Sequence, residues 1–211
     1  MLNMSKPTVK WEVTAKKLAK KAIKDKELLP ELLRGILSKE DKTRFTSFRA
    51  LMNICEEQPD LLYPYWDHFV DLLDRESTHS KYIGSYLVAS LAAVDRDNRF
   101  EEIFDKYYSL LDDKSIIPAA HVARNSGKIV RAKPELEPKI TETLLKIDAT
   151  RHEPGHKELI KSEAIVAFNE YFEVAKDKER IMEFVKQQVK SKSPKARKNA
   201  KKFLVTWAES Q

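Results

Sequence analysis

Apolar positions recur along the chain at helical spacing, in blocks separated by charged or proline-bearing breaks. The first block, Leu28 to Leu37, reads Leu-Leu-Pro-Glu-Leu-Leu-Arg-Gly-Ile-Leu, a short apolar helix. After Ser38-Lys39-Glu40-Asp41, a second helix carries Phe45, Phe48, Leu51, Met52, Ile54 and Cys55 on one stripe. Pro59 ends it. The pattern restarts at Leu61-Leu62-Tyr63-Pro64 with a helix ending near Leu73, and a second helix from about Thr78 carries Ile83, Tyr86, Leu87 and Ala89. Three more pairs follow. First helices are predicted to end on Leu37, Leu73, Leu111, Ile147 and Val189; successive differences are 36, 38, 36 and 42 residues, the last stretched by a longer loop inside the fourth pair. Pro30, Pro64 and Pro138 fall in or near the first turn of a first helix, where a missing N–H costs little. A recurring period in this range marks stacked repeats. Ahead of them, Trp11, Ala15, Leu18, Ala19, Ala22 and Ile23 predict a capping helix over residues 8–24. The expected architecture is one all-α domain, residues 1–211, with pairs at about 28–57, 60–94, 97–132, 134–175 and 178–209.

Leu28-Leu29-Pro30-Glu31-Leu32-Leu33, followed by Asp41, Arg44, Leu51 and Ile54, resembles a HEAT repeat, and the resemblance to that family extends over nearly the whole chain. Later units depart from the pattern: the second has no arginine matching Arg44, and Pro118 falls early in the third unit's second helix. The resemblance implies a right-handed α-α superhelix with second helices on its concave side, each repeat burying its apolar stripe only against neighbours. It also implies a role in holding partners.

Composition narrows the field further. Four glycines, nine prolines and 34% charged residues in 211 disfavour turn-rich β folds and Gly-rich phosphate cradles. No run approaches the roughly 18 apolar residues that a membrane-spanning helix needs. A lone Cys55 and a start, Met1 to Lys10, without a signal-like apolar core lead to the expectation of a reducing, cytoplasmic setting. The net charge of +6 is unevenly placed. Lys6 to Lys26 holds 8 basic and 2 acidic residues, Lys176 to Lys202 holds 11 and 3, and the remainder is acidic by 8.

Candidate chemistry is sparse. His152-Glu153-Pro154-Gly155-His156 has the HExxH spacing that on a helix places two histidines and a base around zinc, but Pro154-Gly155 is a turn signal, so an exposed loop is expected. Gly127-Lys128 has Val122 where a phosphate loop needs glycine. Cys55 sits on an apolar stripe and reads as core. HEAT-type iron hydroxylases use several His-Glu pairs on helices, and this sequence has one, in the expected loop. HEAT-like DNA glycosylases read damaged bases with Trp and Asp on a basic concave face; the single adjacent pair here, Trp66-Asp67, lies in a first helix. No catalytic residue, metal or cofactor is expected.

Two surfaces remain. Aligning second helices on Leu51, Ala89, Ala123 and Ala167 puts Asn53, Leu91, Asn125 and Asn169 at one phase, with Arg49, Leu87, His121 and Ile165 one turn earlier. Arg49, Asn53, Leu91, His121, Asn125 and Asn169 are therefore the candidate concave face. Its asparagines resemble the ladder by which armadillo-type repeats hold an extended peptide. Leu87, Leu91, Ile129 and Ile165 would form an apolar strip there, unless the phase is off by one and they are core. The second surface is the cationic face of the last helix, Lys195, Arg197, Lys198, Lys201 and Lys202, whose charges in the first turns oppose the helix dipole. It suits an anionic partner, nucleic acid included, or a solubilising cap. Lys16, Lys17, Lys20, Lys21 and Lys24 repeat the pattern at the other end. A non-enzymatic scaffold for a protein or peptide is the leading expectation, a nucleic-acid-binding HEAT protein or glycosylase the alternative, and no membrane partner is expected.

Overall fold

A computed structural model describes residues 7–207, with side chains from residue 12 onward. Trp11, assigned above to the capping stripe, and the last residues of the fifth pair lie outside the described side chains. Among the described residues there are twelve α-helices joined by short turns, and no strand. None of the helices is long and apolar enough to cross a membrane. The chain divides into two compact units at Arg96/Asp97.

The first unit contains α1 (Pro7–Lys24), α2 (Leu29–Gly35), α3 (Asp41–Glu57), α4 (Trp66–Asp74) and α5 (Thr78–Leu91). Small residues at i, i+4 and i+7, namely Ala15, Ala19 and Ala22, let α1 lie close on α3. α2 and α4 pack on the second helices α3 and α5 of their own pairs, and α3 packs on α5. Trp66, Phe69, Leu72 and Leu73 are buried on α4. Gly84 makes that contact close: a Cβ there would stand 2.8 Å from the Leu72 Cβ and 2.9 Å from the Phe69 carbonyl oxygen.

The second unit contains α6 (Arg99–Glu102), α7 (Phe104–Ser109), α8 (Ile116–Ala132), α9 (Glu137–Leu145), α10 (Pro154–Tyr171), α11 (Lys178–Gln188) and α12 (Pro194–Trp207). The third pair's first helix is thus split at Ile103, into α6 and α7. Asn98, at φ 56°, turns the chain into it from the left-handed region that asparagine tolerates best after glycine, and its Oδ1 accepts from Lys133 Nζ at 3.2 Å. α10 lies between α8 and α12. Pro118 does not bend α8, because it occupies the first turn, where no helical acceptor is lost.

The fourth pair corrects an expectation. Only residues 150–153 separate its first helix and closing turn from α10, so the long spacing is not a loop. The extra residues are spread over the turn, α10 and the 11-residue α11, while α10 itself, 18 residues against 17 in α8, starts on Pro154 and takes Gly155 and His156 into its first turn. His152 is buried in front of it, its Nε2 3.1 Å from the Leu111 carbonyl oxygen, and His156 is exposed. Among the described residues no cluster of three metal-ligating side chains forms.

One device recurs at the turns. Arg44 Nη1 donates to the carbonyls of Ser38 (2.8 Å) and Lys39 (3.4 Å), and Arg197 Nη1 donates to those of Ser191 (2.7 Å) and Lys192 (3.0 Å). Each arginine reaches back from the start of a second helix to satisfy carbonyls of the turn that precedes it. Arg197 is therefore a turn anchor, not a member of an outward cationic row.

Candidate functional site

Each unit sets its second helices side by side, and what they leave outward is the candidate site. Fully buried Leu87, Leu91 and Ile129, with Ile165 nearly so, remove the apolar strip expected there; they are core. Leu91 therefore leaves the candidate face. Asn125 is 4% exposed, and its Nδ2 is buried with no hydrogen-bond partner, so it cannot stand in an accessible ladder. The register between α8 and α10 also differs from the aligned one. Side-chain pairs join α8 to α10 at a separation of 39 residues, Arg124 to Glu163 and Arg131 to Glu170, whereas the Ala123–Ala167 alignment assumed 44.

In the first unit the outward row begins with Arg49, 52% exposed, whose guanidinium donates to Glu12 at 3.0 Å. Asn53 is half-buried and its Nδ2 donates to the Arg49 carbonyl at 2.6 Å, which leaves Oδ1 as its outward acceptor. Beside them the half-buried rings of Tyr82 and Tyr86 meet the buried Phe48 edge-on, at centroid distances of 5.2 and 5.9 Å, and each other at 5.1 Å. Burial pushes the Tyr82 hydroxyl's pKa up, against the opposing charge of Arg49.

The second unit is different in kind. Glu163, 9% exposed on α10, accepts from Arg124 of α8 at 2.8 Å and from Lys195 of α12; the two cations are 46% and 56% exposed. Burial alone would raise its pKa, but the hydrogen bonds from Lys195 and Arg124 prevail and hold it below the ordinary carboxylate value. His121 stands in the same group. Burial lowers its pKa to about 4; Glu163 opposes that shift, while Arg124 and Lys195 add to it, so the ring is neutral at pH 7. Arg131 pairs with Glu170 one turn further along.

Asn169 and Asn199 complete this face. Trp207 Nε1 donates to Asn169 Oδ1 at 3.1 Å, which fixes the amide so that its N–H groups are the end left for a ligand. Asn199 is fixed the opposite way, its Nδ2 donating to the Ser162 carbonyl (3.1 Å) and hydroxyl (2.9 Å). Both border a cleft of about 80 Å³ closed by Ile165, Val166, Lys202 and Phe203.

Of the cations expected on the last helix, Lys195 is held by Glu163 and Arg197 by the turn. Lys198, Lys201 and Lys202 are exposed, with no carboxylate in ion-pair reach among the described residues. The helix start that carries these charges is offset by Glu158, whose carboxylate accepts from the backbone N–H of Lys192 (3.2 Å) and Ser193 (2.7 Å). Trp66, the ring on which a base-reading site would depend, is buried, as is Cys55. The contributions of Tyr82, Tyr86, Arg124 and Glu163 were missed from sequence, although Tyr82/Tyr86 and Arg124/Lys128/Arg131 carry helical spacing on one face.

No protein-family model matches the sequence, and no curated protein matches it. Among solved structures it is similar to the designed armadillo repeat protein YIII(Dq)4CqI, with a TM-score of 0.61 at 19% identity, over 97% of this chain and 95% of that one. It is also similar to the designed armadillo repeat protein YIII(Dq.V1)4CPAF in complex with peptide (KR)4, with a TM-score of 0.58 at 18% identity, over 98% and 96% of the two chains. A third likeness is to computationally designed armadillo repeat proteins for modular peptide recognition, with a TM-score of 0.59 at 19% identity, over 93% and 90%. The fold is therefore that of an ARM/HEAT-like helical repeat.

Proposed function

We propose that the protein is a non-enzymatic scaffold that holds an extended protein segment on the outward face of its second helices. The orientation of Asn169 carries this reading: Trp207 occupies its carbonyl oxygen, so its N–H donors are presented where a strand's carbonyls would pass. Arg49, Asn53 and His121 border the same kind of row, and the peptide recognition named for two of the structural neighbours supports it. A lone, buried Cys55 suits the reducing conditions of a cytoplasm.

The test is selection of an unbiased displayed peptide library, followed by affinity measurement against Asn169→Asp. That change keeps Trp207's acceptor but removes the outward donors, so selected peptides should weaken about tenfold without loss of thermal stability. Failure to enrich any peptide, or equal affinity for the variant, overturns the proposal.

A further inference from the structure

The outward face of the second unit is strongly and unequally charged. Arg124, Lys128 and Arg131 line one side on α8, and Lys195, Lys198 and Lys202 line the other on α12; Glu163 and Glu170 of α10 stand between them. Some exposed cations elsewhere are matched, as in Arg49–Glu12, Arg96–Asp60, Lys139–Asp105 and Arg180–Glu142, while others, such as Lys17, Lys20 and Lys21 of α1, are not matched among the described residues. On α12, Lys198 and Lys202 have no such match among the described residues. What sets this face apart is the combination: two unmatched lysines a helical turn apart stand next to amide donors, a small cleft and two further cations held by one carboxylate.

We infer that this face binds an acidic extended peptide, its carboxylates meeting Lys198 and Lys202 and competing with Glu163 for Lys195 and Arg124, while its backbone runs past Asn169. The inference rests on the scaffold reading above and adds the charge class of the segment and the half of the chain that reads it. Glu163 acts as an internal stand-in for the ligand: it keeps Arg124 and Lys195 ordered when the face is empty. Crossing three helices about 10 Å apart requires about six to seven residues at an extended rise of about 3.3 Å. Alternate side chains of such a strand point the same way, so acidic residues at every second position would all face the cations.

The same charge could attract single-stranded nucleic acid, but the details favour peptide. Single-strand binders combine a cationic groove with exposed rings on which bases stack. The rings bordering this face are turned inward: Phe203 is buried, and Trp207 packs on Phe172 at 5.1 Å with its nitrogen on Asn169. Two carboxylates in the middle of the face would also repel a continuous phosphate backbone.

The experiment titrates the full chain, by fluorescence anisotropy, into labelled alternating Glu-Leu, Ser-Leu and Lys-Leu peptides and a labelled oligothymidine. The Glu-Leu peptide should bind tightest, with affinity falling as salt is raised. Reversing two exposed lysines, Lys198→Glu with Lys202→Glu, should weaken it about tenfold. Glu163→Gln should tighten it about threefold, because the stand-in carboxylate no longer competes; a purely structural role for Glu163 would give no gain. Preference for Lys-Leu, equal affinity for Ser-Leu, tighter binding of the oligonucleotide, or indifference to the lysine reversals overturns the inference while leaving the scaffold reading intact. If no peptide of any charge binds here or emerges from the library selection, both fall together.

Discussion

Two faces built from the same helix-pair unit differ in what they turn outward. In the first unit, α3 and α5 meet through rings, Phe48 against Tyr82 and Tyr86, and an ion pair from Arg49 to Glu12 ties α3 to α1. In the second, α8, α10 and α12 meet through charge and amides: Arg124–Glu163–Lys195, Arg131–Glu170 and Asn169–Trp207. The buried stripes of both are alike in chemistry. Stacking constrains the inward positions and leaves the outward ones open to other selection, so the contrast between faces is where functional information lies.

The largest test of that contrast sets a ring against a carboxylate. Phe48 is buried beneath both tyrosines, and Phe48→Ala should cost about 3–5 kcal/mol in urea unfolding, with little change on adding salt. Glu163→Gln removes a charge shared by two half-exposed cations and should cost about 1–2 kcal/mol, shrinking as salt screens the pairs. Equal losses, or a salt-dependent loss for Phe48→Ala, would show that the two faces are held by the same forces after all.

A smaller test separates structural from outward cations within one helix. Arg197→Ala strips two turn carbonyls of a charged donor and should cost about 1–2 kcal/mol, as Arg44→Ala should at the equivalent turn of the first unit. Lys198→Ala, one residue along, should leave the urea midpoint unchanged to within about 0.5 kcal/mol. If Lys198→Ala destabilises as much as Arg197→Ala, the division of that row into anchor and ligand contacts is wrong.

Much of the helix order was legible because each pair has its own apolar stripe and punctuation. Leu73 and Val189 stand next to the ends of first helices, Ile147 lies two residues past one, and Cys55 is in the core as its stripe predicts. The site was harder to read, for a geometric reason. One residue of slip rotates a side chain by about 100° around a helix, enough to exchange surface for core. A second helix flanked on both sides and backed by its own first helix buries a wide arc, so Leu91 and Asn125 vanish although each lies two residues beyond an aligned core position. Aligning α10 to α8 on Ala123 and Ala167, 44 residues apart, hid the Arg124–Glu163 pair, whose members are 39 apart. Arg197 could have been recognised: it follows the start of its helix by three residues, as Arg44 does.

The smallest test concerns protons. His121 shares its surroundings with Glu163, Arg124 and Lys195, and its pKa in the folded chain, about 4, lies below the 6.5 of the unfolded one. Between those values the unfolded chain binds the proton and the folded chain does not, so stability is complete above about pH 6.5 and declines as pH falls toward 4. Because the ring is only partly enclosed, the loss should be no more than about 1 kcal/mol. His121→Gln should flatten the urea midpoint between pH 6.5 and 5, ahead of the carboxylate range where Glu163 takes up its proton. His68 in the first unit is also lowered, by burial first and then by Arg75, and has the same sign, so a shallow slope should survive in His121→Gln and disappear only when His68→Gln is added. A slope untouched by His121→Gln would mean that the ring is not enclosed by the charged face of the second unit. A slope abolished by it alone would confine the acid sensitivity to that unit and remove His68 from the account.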